Sequence, residues 1–354
     1  MDIKVPGIEI NRMMKTITQC IDPKDQNLGN IEIIYDNGLL TIRGSNGQFS
    51  AVTSMPLLGG TGETFQVDGT MFARVCGACS GDVQIMTDGK VCTVKGAGKT
   101  RMPIVNAKIP AFQRVSGDRC EVLAEDLMRA YGGVAHAVST LQTRVVLTGI
   151  YAEAMPEGLR LTALDGFRMA QEVCACDADP MKAVIPGGFL KIVCSSISAG
   201  ERVVIISDGK RVMAETDGMM VSCGLLTGEF PKTETIVPKA FKTDTLVKTE
   251  DLRNALKGSS VINSSNKLVR LEIGGDGLKV RNNSEQADYE AEIGCVTHGD
   301  GIDIAFNQKY VMDAIGSLEA DEIVMKFNTP FSPVVMEKVE SAGFRLVLPV
   351  RTVN

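Results

Sequence analysis

A sequence unit that returns twice along the chain constrains its fold more than any other feature. In the middle copy, residues Glu157–Gln171 read as a strand, a tight Asp165-Gly166 turn and a second strand. Similar units open at Asn37-Gly38 and Asp276-Gly277. The glycines at positions 38, 158 and 277 are 120 and 119 residues apart, and such a period in a chain of 354 residues predicts three copies of one domain.

Length and composition agree with this organisation. A chain of 354 residues is too long for one hydrophobic core and fits three domains of about 100–150 residues each. We predict an α+β fold with domain bounds at residues 1–117, 118–238 and 239–354. No apolar run approaches the roughly 20 residues that span a bilayer, and the first residues lack the apolar core of a signal peptide. We therefore expect a cytoplasmic protein without membrane contact.

Each third of the chain divides into two similar halves, a helix followed by two or three strands. Asn11 and Thr249 are predicted to cap the first helices of the outer thirds, and Arg144–Ile150 is predicted to be a strand. The Asp88-Gly89-Lys90 and Asp208-Gly209-Lys210 triplets, 120 residues apart, lie between alternating apolar segments and predict hairpins.

The residues of a catalytic or metal centre are scarce. Only two histidines occur, His136 and His298, and neither belongs to a ligand-spaced pair. Ten cysteines are scattered along the chain, and Cys76-Gly-Ala-Cys79 lacks the second ligand pair of a zinc site and the context of a redox site. We expect no catalytic residues, no metal and no cofactor.

The basic residues say more by position than by number, because the net charge is −6. Eight of them fall on the six predicted helices: Arg12, Lys15, Arg74, Arg129, Lys191, Arg253, Lys257 and Lys309. They are either ordinary solvated helix surface or, if the helices share one side of a ring, a diffuse lining for phosphates. Such a lining reads charge and not sequence.

Four segments together are specific for one family. They are Leu161-Thr-Ala-Leu-Asp165-Gly166-Phe-Arg168-Met-Ala170, Gly228-Glu-Phe230-Pro231 with Ile236-Val-Pro238, the tail Leu346-Val-Leu-Pro349-Val-Arg351, and Ala135-His136 followed by Arg144-Val-Val-Leu147-Thr-Gly149. In these segments the sequence resembles the bacterial sliding clamp, the beta subunit of DNA polymerase III, and the resemblance covers essentially the whole chain.

The resemblance implies three tandem clamp domains that form half of a ring, each with two helices on the inner side and antiparallel sheets outside. Two copies would join head to tail into a homodimeric ring, pairing strands at the outer edges of the first and third domains. The ring would encircle duplex DNA without sequence specificity and act as a processivity factor.

The family also implies a hydrophobic pocket between the second and third domains. It takes a short, mostly apolar peptide motif from the DNA polymerase III alpha subunit, the clamp loader and repair proteins. The matching positions are Leu147, Leu164, Gly166, Phe167, Arg168, Met169, Pro231, Thr235, Ile236, Asn307, Tyr310, Phe331, Pro333, Leu346, Val347, Leu348, Pro349, Val350 and Arg351. An apolar wall with a few polar anchors suits peptide capture, and core packing is the other interpretation of these residues.

The chain departs from the family at two places. Leu164-Asp-Gly-Phe167-Arg-Met169 replaces Thr-Asp-Gly-His-Arg-Leu, which predicts a more apolar pocket, and Thr352-Val-Asn354 extends the tail. Two other functions stay open: a repeat enzyme with a carboxylate site at Asp165, and a scaffold that keeps the ring fold without engaging DNA. Against the enzyme, an Asp before Gly more often bonds its own backbone.

Overall fold

The structure is a computed structural model that describes residues 1–262, 267–275, 277–339 and 342–351. Asp276 of the third repeat and the Thr352–Asn354 extension lie outside the described residues. The chain divides into two compact units. The first unit contains Met1–Met128, Ala154–Pro156 and Ala175–Leu226, and the second contains Arg129–Glu153, Glu157–Cys174 and the chain from Thr227 onward.

The elements follow one another in a repeating order. The first third contains β1 (Asp2–Val5), α1 (Gly7–Ile17), β2 (Asn30–Asp36), β3 (Leu39–Ser45), β4 (Phe49–Pro56), β5 (Glu63–Asp68), α2 (Gly69–Gly77), β6 (Val83–Thr87), β7 (Val91–Lys95) and β8 (Lys99–Pro103). The second third contains β9 (Asp118–Leu123), α3 (Ala124–Ala135), β10 (Gly149–Met155), β11 (Gly158–Leu164), β12 (Arg168–Cys174), β13 (Asp177–Ala178), β14 (Lys182–Pro186), α4 (Gly187–Ser196), β15 (Arg202–Ser207), β16 (Arg211–Thr216) and β17 (Met219–Gly224). The last third contains β18 (Thr243–Lys248), α5 (Thr249–Ser260), β19 (Leu268–Gly274), β20 (Gly277–Asn283), β21 (Asp288–Gly299), β22 (Ile302–Asn307), α6 (Gln308–Gly316), β23 (Glu322–Phe327), β24 (Val334–Lys338) and β25 (Phe344–Val347).

This order is one motif, a strand, a helix and three strands, repeated twice in each third. Among the described strands and α-helices, only the two-residue strand β13 stands outside this motif. The α+β class and the doubled, triplicated organisation predicted from the sequence are therefore confirmed. The domain bounds at 117/118 and 238/239 stay a prediction, although β9 begins at Asp118.

Sheets of antiparallel strands build both units. In the first unit one sheet has the order β13-β9-β15-β16-β17-β4-β3-β2-β5 and another has the order β1-β6-β7-β8. In the second unit the order is β10-β11-β12-β25-β24-β23-β18-β21-β20-β19-β22. We call one copy of the strand–helix–three-strand motif a half-repeat. In each unit the last strand of one half-repeat pairs with the last strand of another: β4 with β17, and β12 with β25.

Asp-Gly turns fix the hairpin registers. The carboxylate of Asp88 accepts hydrogen bonds from the backbone N–H groups of Lys90 (3.0 Å) and Val91 (2.8 Å). Gly89 follows with φ of +82°, a conformation that glycine adopts without a Cβ penalty. These backbone hydrogen bonds lower the pKa of Asp88, and the corresponding bonds of Asp208 have the same effect on its pKa. The two predicted hairpins are confirmed as β6–β7 and β15–β16.

Several local predictions are wrong. Residues Gln142–Thr148 form 3-10 turns, so the strand predicted at Arg144–Ile150 begins only at Gly149. Helix α1 starts at Gly7, because the fixed backbone of Pro6 already suits the residue before a helix, and Asn11 lies inside it. Thr249 is the first residue of α5 and not its N-cap, and its Oγ1 has no hydrogen-bond partner among the described residues. The strand before each helix was missed in the sequence because its charged residues interrupt the apolar pattern.

A fully buried arginine lies where β12 meets β25. The Arg345 side chain is 0% exposed, and its Nη2 donates to Glu172 Oε1 at 2.7 Å. Its other donors reach the hydroxyl and carbonyl of Ser317 (2.7 and 2.9 Å) and the Gln171 carbonyl (3.1 Å). A Cβ at Gly133 would lie 2.6 Å from Glu172 Cγ, so only glycine leaves this pair its space.

We predict that Arg345→Leu lowers the free energy of unfolding by about 3–5 kcal/mol, because Glu172 then stays buried without its main partner. Urea denaturation followed by circular dichroism measures the change. The double variant Arg345→Leu/Glu172→Leu should recover much of the loss, since it removes both buried charges. Arg253→Leu, which breaks a partly exposed pair with Glu250, is the control and should cost about 1 kcal/mol or less. Equal losses of unfolding free energy for Arg345→Leu and the control would contradict the stabilising role of the buried Arg345–Glu172 pair.

Candidate functional site

All residues predicted to bind a partner peptide lie in the second unit. They come from six separate stretches of the chain: the 3-10 turns at Gln142–Thr148, the β11–β12 turn, the segment 231–236, the start of α6, the loop before β24, and β25 with the residues that follow it. Each stretch is irregular or lies at the end of a regular element, and such positions commonly carry binding residues.

Backbone hydrogen bonds place the segment that follows β25 beside the β11–β12 turn. In the β12–β25 pair, Arg168 lies opposite Val347 and Met169 opposite Leu346. Beyond the strand, Leu348 N–H donates to the Phe167 carbonyl at 2.9 Å. Val350 N–H donates to the carbonyl of Ala305 in β22 at 2.8 Å. The segment after β25 is thus held at two points.

Arg168 organises the polar part of this region. Its guanidinium lies 4.5 Å from the centre of the Tyr310 ring, a cation–π contact. Its Nε donates to Asp165 (2.9 Å) and its Nη1 to Asp313 (2.6 Å). The Phe167 and Tyr310 rings stack with centroids 6.0 Å apart. Phe167, Arg168 and Tyr310 therefore form one contiguous surface with Leu348.

Asp313 was not among the predicted site residues. It also accepts a hydrogen bond from Lys309 Nζ at 2.6 Å. Burial raises the pKa of Asp313, but hydrogen bonds and charge from Lys309 and Arg168 outweigh burial, and the pKa is lowered. The carboxylate stays ionised and holds Arg168 in place. The only signal in the sequence is the spacing of Lys309 and Asp313, an ordinary i,i+4 pair.

The predicted pocket residues separate by exposure. The buried ones support the surface from below: Leu147, Leu164, Met169, Leu346 and Val347. The half-buried ones are Arg168, Pro231, Ile236, Asn307, Tyr310, Pro333 and Pro349, and the exposed ones are Gly166, Phe167, Thr235, Phe331, Leu348, Val350 and Arg351. Phe167 and Phe331 are 55% and 69% exposed, so the surface offers large apolar side chains to a partner.

Other predicted residues are positioned by contacts of their own. Asn307 caps α6 by accepting from Lys309 N–H at 3.0 Å. Phe230, next to Pro231, stacks on Tyr151 with centroids 5.2 Å apart. Thr235 Oγ1 donates to the Lys232 carbonyl at 2.7 Å. These contacts fix the segment 230–236 and the start of α6.

His136, one of the two histidines of the chain, is half-buried. Burial, together with the nearby charges of Arg345 and Arg168, lowers its pKa to about 4. Within the described part of the chain its Nδ1 has no hydrogen-bond partner. The imidazole is therefore neutral near pH 7 and adds no charge to the surface.

The eight predicted DNA-binding cations divide between the units. The first unit contains Arg12, Lys15, Arg74 and Lys191, and the second contains Arg129, Arg253, Lys257 and Lys309. All are exposed except Arg253, which is half-buried. Half of them form ion pairs: Arg12 with Glu201, Arg129 with Glu172, Arg253 with Glu250 and Lys309 with Asp313.

The remaining four cations have no carboxylate within 4.0 Å among the described residues. They are Lys15, Arg74, Lys191 and Lys257. Unneutralised cations contribute most to an attraction for phosphate, so these four are the stronger candidates.

The cysteine pair of the first third is buried. The Cys76 and Cys79 side chains are 0% and 8% exposed, and burial raises the pKa of Cys76 to about 12. A thiol with such a pKa is protonated near neutral pH and is a poor nucleophile and metal ligand. Across the described ranges, no cluster of three or more His, Cys, Asp or Glu side chains is arranged to hold a metal ion. None of the described helices is long and apolar enough to cross a membrane.

Comparison with known proteins identifies the family. Residues 121–232 match the family model described as DNA polymerase III beta subunit, central domain, and residues 234–351 match its C-terminal domain. The beta sliding clamp of Lactococcus lactis is 23% identical over 344 residues, which cover 90% of each chain.

Solved structures agree at the level of the fold. The DNA polymerase sliding clamp of Bacillus subtilis superposes with a TM-score of 0.93 at 21% identity, covering 100% of both chains. A sliding clamp from Pseudomonas aeruginosa bound to griselimycin gives a TM-score of 0.94 at 18% identity, covering 99% of this chain and 100% of that one. The chain therefore belongs to the family of bacterial sliding clamps, the beta subunits of DNA polymerase III.

Proposed function

We propose that this protein is a processivity factor of DNA replication and not an enzyme. Two copies form a closed head-to-tail ring around duplex DNA, and the replicative polymerase docks by a short peptide on the second unit. The observation that carries the docking site is the joined surface of Phe167, Arg168, Tyr310 and Leu348. Membership of the sliding clamp family supports the rest.

The peptide surface has the make-up of an interaction hot spot. Phe167, Leu348 and Val350 expose apolar side chains on a backbone fixed by strand pairing, so little side-chain or loop ordering opposes binding. Arg168 and Tyr310 are residue types enriched at hot spots. Asp313 holds Arg168 in place, and the Arg168 guanidinium lies over the Tyr310 ring. An apolar peptide from the polymerase III alpha subunit, the clamp loader or a repair protein would bury this surface.

Two strand edges of opposite charge support ring closure. Strand β8 pairs with β7 and lies at the end of its sheet, with Lys99 and Arg101 exposed on one face. In β21, residues 288–294 pair with β20, and the exposed Asp288, Glu290 and Glu292 lie on one face. An edge strand offers unpaired backbone groups to another chain. Pairing β8 of one copy with β21 of another would bring opposite charges together.

The cationic helix faces suit sliding on DNA. Four unpaired cations and four paired ones on an acidic protein give a weak attraction for phosphate. A ring holds DNA by topology, so weak contacts suffice and leave motion along the duplex unhindered. A clamp loader would open the ring to admit DNA, and the site of action would be the cytoplasm.

The rival enzyme centred on Asp165 is disfavoured by the turn itself. Asp165 Oδ1 accepts from the N–H groups of Phe167 (2.9 Å) and Arg168 (3.1 Å). Its Oδ2 accepts from Arg168 Nε at 2.9 Å. Both oxygens are committed to holding the turn and Arg168, which leaves the carboxylate no role as a free base.

We predict that the protein has about twice the 37.9 kDa monomer mass in solution. Lys99→Glu/Arg101→Glu should produce monomers by placing like charges across the joint. Adding Glu290→Lys/Glu292→Lys should restore the dimer. Sedimentation equilibrium measures the mass, and Lys24→Glu/Lys239→Glu is the charge-matched control. A Lys99→Glu/Arg101→Glu variant that stays dimeric would exclude these strand edges as the dimer interface.

We predict that the protein loaded on nicked circular DNA is retained through gel filtration and released when the circle is cut.

Lys15→Glu/Arg74→Glu/Lys257→Glu should weaken equilibrium binding to duplex DNA and flatten its dependence on salt by roughly 0.9 per lost phosphate contact. Lys24→Glu/Lys95→Glu/Lys239→Glu is the matched control. An unchanged salt slope would reject the lining, and release that does not depend on cutting would favour a scaffold that does not encircle DNA.

We predict that griselimycin, which a Pseudomonas aeruginosa relative binds, also binds this protein at the proposed surface. Phe167→Asp/Leu348→Asp should weaken binding by about 30-fold or more, because each change places a charge in an apolar contact. Both residues are exposed, unlike the buried Met169, so the fold is spared. Calorimetric titration measures affinity, with Leu58→Asp, at a fully exposed leucine, as the control. An unchanged affinity of the double variant for griselimycin would contradict the assignment of this surface as the peptide-binding site.

A further inference from the structure

The first unit contains a notch where β4, β17 and α1 meet. Thr53 of β4 lies opposite Met219 of β17. Beyond this pair, Ser54 N–H donates to the Gly218 carbonyl at 2.9 Å. Met13 of α1 lies beside these strands, and the notch has a volume of about 50 Å³. All the lining residues belong to this unit.

The backbone of this notch corresponds to that of the proposed peptide site in the second unit. There Val347 lies opposite Arg168, and Leu348 N–H donates to the Phe167 carbonyl at the same distance of 2.9 Å. Thr53 thus takes the place of Val347, Ser54 that of Leu348, and Gly218 that of Phe167.

The two helices correspond as well. Buried apolar residues of α1 are Ile10, Met13, Met14 and Ile17, and those of α6 and its end are Val311, Ala314, Ile315 and Leu318, with the same spacing. Arg12 precedes Met13 as Asp313 precedes Ala314. The notch and the proposed peptide site therefore occupy equivalent positions in the two units.

Two hydroxyls at the notch have no hydrogen-bond partner within the part of the chain that the structure describes. Thr53 Oγ1 belongs to a side chain that is 2% exposed, and Ser196 Oγ of α4 is a buried atom of a half-buried residue. Thr16, also at the notch, directs its hydroxyl to Met219 Sδ at 3.7 Å. A buried hydroxyl without a partner costs about 1–3 kcal/mol, so a ligand that supplies a donor and an acceptor is favoured.

The surroundings differ in chemistry from the proposed peptide site. Gly218 stands where the second unit has Phe167, and Glu9 and Arg12 line the rim, with Arg12 paired to Glu201. Met13 and Met219 form a soft apolar floor. The volume holds a group of three or four heavy atoms, since one water needs roughly 10–15 Å³. A carboxamide has this size and offers both a donor and an acceptor.

We propose that this notch is a second peptide-binding site, which receives one glutamine or asparagine side chain of an extended partner segment between the hydroxyls of Thr53 and Ser196. That the partner is a peptide rests on the function proposed for the corresponding site in the second unit. The carboxamide preference rests on the notch alone.

Methyl NMR of full-length protein with ¹³C-labelled methionine tests the site. The probe is the pentapeptide Gly-Gly-Gln-Gly-Gly, and Gly-Gly-Met-Gly-Gly, of similar shape without the amide, is the matched control. We expect saturable shifts of the Met219 and Met55 methyl signals with the glutamine peptide and about tenfold weaker binding of the methionine peptide. Equal binding of both peptides, or no shift of either methyl signal, overturns the proposal.

Thr53→Val/Ser196→Ala should weaken binding of the glutamine peptide about tenfold or more, while Thr245→Val, at a buried and hydrogen-bonded threonine of the second unit, leaves it unchanged. Removing unpaired hydroxyls does not threaten the fold, and Ser196→Ala alone serves as a milder variant. Undiminished binding in the double variant overturns the proposal. The Met169 methyl signal, titrated with griselimycin, reports the second-unit site separately, so each site can fail without the other.

Discussion

Backbone pairing between the last strands of two half-repeats is the interaction on which the rest of the structure depends. In the first unit β4 pairs with β17, and in the second β12 pairs with β25. Each pair continues a sheet across two repeats and leaves the following residues held by one more hydrogen bond, Ser54 to Gly218 or Leu348 to Phe167. Because main-chain bonds set this geometry, the exposed side chains that follow the junction can vary more freely than buried ones such as Arg345. Function can change there without altering the fold.

Much of the fold was predictable because its turns are local. Asp88, Asp165 and Asp208 each accept hydrogen bonds from the backbone two and three residues ahead, so the sequence alone specifies these turns. The strand before each helix was not predictable in the same way. Asp2–Val5, for example, is short and alternates exposed charge with burial, and only its pairing with β6 makes it a strand. The 3-10 turns at Gln142–Thr148 likewise carry β-branched residues that favour a strand by propensity alone.

The candidate site was likewise predictable only where its residues lie in local sequence patterns. Phe167, Arg168 and the tail residues were found because they lie in segments with a recognisable pattern. Asp313, which orients Arg168, was missed because the two residues are 145 positions apart and meet only in the folded chain. The sequence also could not distinguish the buried residues that support the site from the residues that are exposed on it. Met169 and Leu348 look equivalent as apolar residues, yet one is 1% and the other 36% exposed.

Comparison of the two junctions shows how one scaffold serves different chemistry. In the second unit Phe167 and Leu348 give an exposed apolar surface, and Arg168 is fixed by two carboxylates. In the first unit glycine and serine replace those two side chains, and buried hydroxyls face a small polar notch. An unpaired buried hydroxyl costs free energy until a partner reaches it, whereas an exposed apolar side chain gains free energy only when a partner covers it. The same backbone junction therefore favours a small polar group in the first unit and an apolar group in the second.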